Sequence, residues 1–174
     1  MISVAVYHEE YNQDEDTPYI WVDELIICSA CGRSELIYKG WRKRKVITIT
    51  EAIMIMMIRR VKCKHCKKIH HVLPDIIVPY KRNTSETIDK IKEGHEDETL
   101  CEENVINRIK SWWQKLRLYI LMAAAKYNIS ISSESCITKI VRALANANLW
   151  PGTRSALALG QENCIIMTNQ QTKL

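Results

Sequence analysis

The sequence predicts an α+β protein, β in its first half and all-α in its second, with three helices in a helix-turn-helix-like arrangement. Three observations predict it. Two C-x-x-C pairs, Cys28/Cys31 and Cys63/Cys66, stand 31 residues apart. Residues 25–80 are rich in Ile, Val, Thr and Met and are interrupted by turn signals, as strands are. From Tyr80 the apolar period changes from two to about 3.6. The 174 residues then divide into an acidic segment plus β unit over 1–80, a helical domain over 81–160 and a loose tail over 161–174.

Each element has a local reason. Apolar Ile2–Tyr7 followed by polar, acidic Glu9–Thr17 reads as a short strand and an acidic loop. Strands follow at Glu35–Tyr38, Val46–Thr50 and Ala52–Lys62, with breaks near Gly40 and Thr50-Glu51. Asn83-Thr84-Ser85-Glu86 matches a capping box and Gly94 a C-terminal stop, giving a helix over 84–93. Thr99-Leu100-Cys101-Glu102 is a second box. It opens a long helix whose apolar face carries Ile106, Ile109, Trp113, Leu116 and Ile120 and ends near Tyr127-Asn128. Ser132 or Ser133 caps a third helix running to Asn148, before Pro151-Gly152 and a short turn over Arg154–Leu159.

The cysteines carry the chemistry. A C-x-x-C turn places two thiolates side by side, and a second completes a tetrahedron around zinc. The β pattern between the pairs has the length of hairpin strands, so the β half reads as a zinc ribbon with Cys28, Cys31, Cys63 and Cys66 as ligands. Gly32 suits the first turn because the residue after such a knuckle often needs φ > 0. A redox pair needs only one C-x-x-C, and nothing else suggests the electron transfer of an iron–sulfur cluster. A closed four-sulfur shell leaves no open position for a catalytic water, so the metal is structural. His65 inside the second knuckle is an alternative ligand; His70 and His71 read as surface or strand residues. Cys101, Cys136 and Cys164 read as idle or buried thiols.

Charge is unevenly spread. The net charge is +5, yet residues 1–24 hold seven acids and no Lys or Arg, while residues 39–68 hold eleven Lys/Arg and the single acid Glu51. Such a split points to a polyanion-binding face. Lys39, Trp41, Arg42, Lys43, Arg44 and Lys45 are expected at a turn between ribbon strands, with Trp41 free to stack or wedge at a nucleic acid. Arg59, Arg60, Lys62, Lys64, Lys67 and Lys68 return beside them, and Lys81 and Arg82 extend the patch. A solvated, solubilising loop is the competing reading. Asn83 to about Leu118 has the spacing of a DNA-reading helix-turn-helix. The Trp112-Trp113 pair reads as core, but so apolar a helix needs the third helix, a protein partner or a second copy to cover it.

The residues resemble a family of short bacterial zinc-ribbon proteins known as a domain of unknown function, related to modules of transposases and other mobile-element proteins. The resemblance lies in Cys28-Ser29-Ala30-Cys31-Gly32, in Lys39-Gly40-Trp41 with Arg44, and in Arg60-Val61-Lys62-Cys63-Lys64-His65-Cys66 leading to His70, Leu73-Pro74 and Pro79-Tyr80. Trp150-Pro151-Gly152-Thr153-Arg154-Ser155 adds to it, so that it covers residues 25–155. A proline common after the first cysteine is missing, and His71 is an extra histidine. The resemblance implies a DNA-associated, mobile-element setting and no activity.

The expected function is therefore that of a non-catalytic, zinc-dependent DNA-binding protein, a transposition accessory or a regulator. A protein-interaction adaptor or an RNA-binding factor is the alternative. With 47% hydrophobic and 26% charged residues the chain is globular rather than disordered. No phosphate-cradling glycine loop, nucleophile elbow or H-E-x-x-H appears, which argues against an enzyme. The longest apolar run, Ile53–Ile58, is too short to span a bilayer, and no signal peptide is apparent, so a cytoplasmic protein is expected.

Overall fold

The computed structural model describes residues 1–12 and 16–151. In chain order the elements are β1 (Ile2–Val4), β2 (Tyr7–Tyr11), β3 (Pro18–Val22), β4 (Leu36–Ile47), β5 (Ile53–Cys63), β6 (Ile69–Pro74), α1 (Ser85–Glu93), a 3-10 turn (Glu96–Glu98), α2 (Glu103–Tyr127) and α3 (Ile137–Asn146). The strands make one mixed six-stranded sheet, bent into a half-barrel, in the order β1-β6-β5-β3-β2 with β4 also on β5. Antiparallel β4 follows β5 along nearly its full length. The opposite edge of β5 is therefore shared: β6 takes Arg60–Lys62 and β3 meets it at Met57.

This overturns the expected fold class of a β zinc ribbon followed by a helix-turn-helix-like all-α half. The segment read as a strand plus acidic loop supplies three strands, and Glu9 and Glu10 lie within β2, paired with Ile20 and Tyr19 of β3. The first strand also reaches the last helix. The Asn146 side chain accepts from the Ser3 N–H at 2.9 Å and donates to its carbonyl at 3.0 Å, satisfying backbone groups of β1. Arg142 of α3 adds an ion pair to Glu24.

The helices are not a helix-turn-helix. That motif needs a turn of about 3–4 residues, whereas residues 94–102 separate α1 from α2 and contain the 3-10 turn. Its acids hold the connection in place, Glu98 on Lys90 of α1 and Glu96 on Lys110 of α2. Ile88, Ile91, Ile109, Leu116, Ile120, Ile137, Ile140 and Leu144 instead form one buried core with Val78. Each such side chain contributes about 1.5–3 kcal/mol by leaving water.

Caps also shift from their expected positions. Thr84, not Asn83, caps α1, its hydroxyl accepting from the Thr87 N–H, and Gly94 closes the helix as expected. Thr99 ends the 3-10 turn, its hydroxyl donating to the Glu96 carbonyl, and α2 begins at Glu103. At α3 the cap comes from another helix: the Asp89 carboxylate of α1 accepts from the Ile137 N–H at 2.9 and 3.1 Å. The expected turn over Arg154–Leu159 and the tail from 161 lie outside the described residues. Among the described residues no helix is long and apolar enough to cross a membrane.

Candidate metal centre

The two C-x-x-C turns close alike. In the first, the Cys31 and Gly32 N–H groups donate to the Cys28 carbonyl at 3.3 and 2.8 Å, and the Cys28 N–H donates to the Arg33 carbonyl at 2.8 Å. In the second, the Lys67 N–H donates to the Cys63 carbonyl at 3.1 Å, and the Cys63 N–H donates to the Lys68 carbonyl at 3.0 Å. The residue after each second cysteine is left-handed: Gly32 at φ +71° and Lys67 at φ +62°. The Lys64 N–H donates to the Glu35 carbonyl at 2.9 Å, tying the second knuckle to the chain entering β4.

All four sulfurs lie within 4.8 Å of one another. Cys28 Sγ is 3.5 Å from Cys66 Sγ, and Cys31 Sγ is 3.6 Å from Cys63 Sγ. These separations are too long for disulfides. They suit a metal: sulfurs at about 2.3 Å from a tetrahedral ion are about 3.8 Å apart. The cluster can therefore hold a metal ion, and the expected ligands Cys28, Cys31, Cys63 and Cys66 are the residues brought together.

The thiols are unequal. Burial pushes Cys28 up to about 12, while Cys63 is held down to about 7, first by the backbone N–H of Cys66 and with help from that of His65. His70 explains how Cys28 tolerates its position. It is buried, with Nε2 at 3.2 Å from Cys28 Sγ and Nδ1 at 3.4 Å from Ser29 Oγ. Burial holds this imidazole below its ordinary value, so it is neutral and can give an Nε2–H to the sulfur. Of the two expected settings, surface or strand, His70 takes the strand, within β6, and is buried there. Only its alternation with buried Val72 on β6 hinted at that burial, and alternation does not say which face is covered. His65, the alternative ligand, is exposed and outside the cluster.

The basic run takes a different place from the expected turn. Residues 39–45 lie inside β4, and the break at Gly40 (φ +95°) is a bulge where the register slips between Tyr38 and Trp41. The turn comes later, with Thr48 N–H to Ala52 carbonyl at 2.9 Å and Glu51 at φ +59°.

Strand alternation then divides the cations between two faces. Arg42 and Arg44 pair with Ile58 and Met56, and Arg60 pairs with His71. These positions, with Lys62, share the face that buries Val46, Ile58 and Met56. Trp41, Lys43 and Lys45 pair with Arg59, Met57 and Ile55 on the opposite face. There Trp41 is half-buried, edge-on to Tyr19, Trp21 and Tyr38 at 5.1–5.7 Å between centroids, and Arg59 lies over Trp21 at 4.7 Å. Lys39 lies in the bulge, and Lys64, Lys67 and Lys68 are exposed around the second knuckle.

Lys81 stands over the Trp112 ring at 3.9 Å and Lys92 over Trp113 at 5.5 Å; both rings are half-buried against the helical core. Arg82 is exposed. Of the remaining thiols, Cys101 is half-buried, Cys136 is exposed, and Cys164 lies outside the described residues.

Residues 28–112 match a family model described as a domain of unknown function, DUF6431. The DUF6431 match opens on the first metal-site cysteine and closes at Trp112, so it spans both knuckles, β4 to β6, α1 and the first part of α2. The expected resemblance to an uncharacterised domain is met in that coarse form. No curated protein and no solved structure matches the chain.

Proposed function

We propose that this chain is a zinc-stabilised, non-catalytic DNA-binding protein that holds the duplex through its phosphates. Zinc is the metal assigned because four convergent sulfurs without an oxygen or open position are its structural donor set. When bound, it supplies folding free energy to the knuckle end of the sheet. Cys28, Cys31, Cys63 and Cys66 hold it, and His70 orients Cys28.

One observation carries the DNA reading. Residues 39–68 bring eleven Lys/Arg and a single acid onto two adjacent strands and the knuckle beyond them. Among the described residues, none of Arg42, Lys43, Arg44, Lys45, Arg59, Arg60 or Lys62 is in an ion pair. Uncompensated charge on a rigid sheet suits a polyanion, with affinity that is independent of sequence and steeply dependent on salt. The transposition-associated or regulatory setting follows from the sequence resemblance, as does a cytoplasmic location from the residues.

A second reading rests on α2. Leu118 and Leu121 are 40% and 49% exposed, beyond the half-buried Trp112/Trp113 pair. They offer a face for a protein partner or a second copy, with the charge on β4 serving to keep a free sheet edge from pairing.

Fluorescence anisotropy with a random-sequence DNA duplex at low and physiological salt separates the two. Binding that falls steeply with salt supports the DNA reading, and RNA in place of DNA tests the choice of nucleic acid. Absence of binding at low salt, together with self-association, favours α2.

A further inference from the structure

The face that buries Val46, Met56 and Ile58 carries a cluster that neither packing nor the metal explains. Arg42 and Arg44 are same-face neighbours on β4, two residues apart and so about 7 Å along the strand. Arg60 and His71 are directly paired across β5 and β6 on that face. Arg42 Nη1 approaches His71 Nε2 to 3.5 Å, which brings the β4 end of the cluster onto the β6 end. Like charges this close repel, and nothing acidic among the described residues offsets them.

Their donors are also unspent. Arg44 gives Nη2–H to the Lys81 carbonyl at 2.8 Å, but its Nε is buried without a partner, and so is the Nε of Arg60. A buried guanidinium N–H with no acceptor costs free energy that a matching ligand would recover. His71 registers the same field. Burial, then Arg42 and Arg60, hold its imidazole below the ordinary value, so it stays neutral beside the guanidiniums. Arg59 on the opposite face also has a buried Nε without a partner, but its charge already lies against Trp21, Tyr38 and Trp41.

We infer that Arg42, Arg44, Arg60 and His71 form a seat for one phosphate group, and that a backbone phosphate of a nucleic acid fills it. The second clause rests on the DNA reading above; the seat itself does not. A backbone phosphodiester shares its one negative charge over two non-bridging oxygens, which can accept from converging N–H groups, as guanidinium forks require. By sequence alone the basic run is one continuous surface. The structure divides it, so Arg42 and Arg60 should matter more to phosphate binding than the equally charged Lys43 and Lys45.

The test compares Arg42→Gln, Arg60→Gln and the double variant Lys43→Gln/Lys45→Gln in salt-dependent anisotropy with a random duplex. Metal content and thermal midpoint serve as fold controls. Each arginine variant is expected to weaken binding about tenfold at low salt and to lower the salt slope by about one, while the lysine pair has the smaller effect. If the wild type binds DNA and both arginine variants keep its slope, the seat is overturned and the DNA reading stands. A parallel titration with inorganic phosphate follows the arginine Nε–Hε signals by NMR. Saturable shifts of Arg44 and Arg60 are expected. Shifts without any DNA binding would keep the seat, assign it to free phosphate and sink the nucleic-acid clause. Still signals with no DNA binding would sink both.

Discussion

The two knuckles share one backbone design but hold their sulfurs by different means. Each is closed by the same pair of backbone bonds, and each passes through a left-handed residue after its second cysteine. The first uses glycine there, and nothing lies within 4 Å of where a Cβ would stand, so glycine serves the backbone angle alone. The second puts Lys67 in the same conformation, which costs a side-chain-bearing residue about 1–2 kcal/mol. Its ammonium donates to the Lys64 carbonyl at 2.6 Å across the turn. Both knuckles bury their first cysteine and turn their own backbone N–H groups toward its sulfur, but the first adds an imidazole from β6 at 3.2 Å. Both sulfurs thus depend on their turns, and Cys28 depends on the sheet as well.

Losing the metal should erase the distinction between them. Structural zinc sites contribute on the order of 10 kcal/mol, comparable to the whole stability of a domain. Chelation, or Cys63→Ser, should therefore unfold the knuckle end of the sheet, seen as lost amide protection in β6 and the start of β4. Protection that survives complete metal removal would mean the sulfurs are not what holds these strands together.

His70→Ala sharpens the contrast. It should weaken metal affinity about 10–100-fold, the range for a residue that orients a ligand, in competition with a chromogenic chelator. His65→Ala, at a side chain that is exposed and outside the sulfur cluster, should leave affinity unchanged. Equal losses from both would abolish the asymmetry.

Smaller effects follow from the left-handed positions. Gly32→Ala should cost about 1–2 kcal/mol in thermal or denaturant unfolding. Lys67→Gly should gain less than about 1 kcal/mol, since relief of the backbone angle is partly offset by the freer unfolded chain. Were both substitutions destabilising, Lys67 would be contributing more through its side chain than its backbone loses.

The smallest effect lies away from both knuckles. His8 is exposed and bonded to Asp23 at 2.8 Å, which raises its pKa above the ordinary imidazole value, with Glu10 adding to the rise. Its protonated form is favoured by folding. That contribution is complete below the unfolded value of about 6.5 and fades as pH rises through the folded one. NMR titration of His8 should show the raised value, and Asp23→Asn should lower it without touching metal affinity.

The four ligands were legible in the sequence because spacing alone brings C-x-x-C sulfurs together, and the helices because their period and Gly94 are local signals. The sheet was not. Parallel pairing of β1 with β6 links Ile2 to Val72, and no local pattern announces a partner so distant. Gly40 read as a turn because a glycine in a bulge and one in a turn look alike in sequence. Asn83-Thr84-Ser85-Glu86 offered several capping residues in a row, and tertiary bonds chose Thr84. His70 and His71 were passed over because their roles depend on which face of β6 each occupies. Only Cys28 on one side and Arg42 on the other reveal that.

The clasp between Ser3 and Asn146 also sets an order of events during synthesis. These residues are 143 positions apart, so a ribosome adding about 5–20 residues per second needs roughly 7–30 seconds to deliver the second after the first. Until then the outer backbone of β1 has no cover from α3. The strand's outer backbone groups must stay open to water while the intervening residues are made, and the clasp can close only after α3 has emerged.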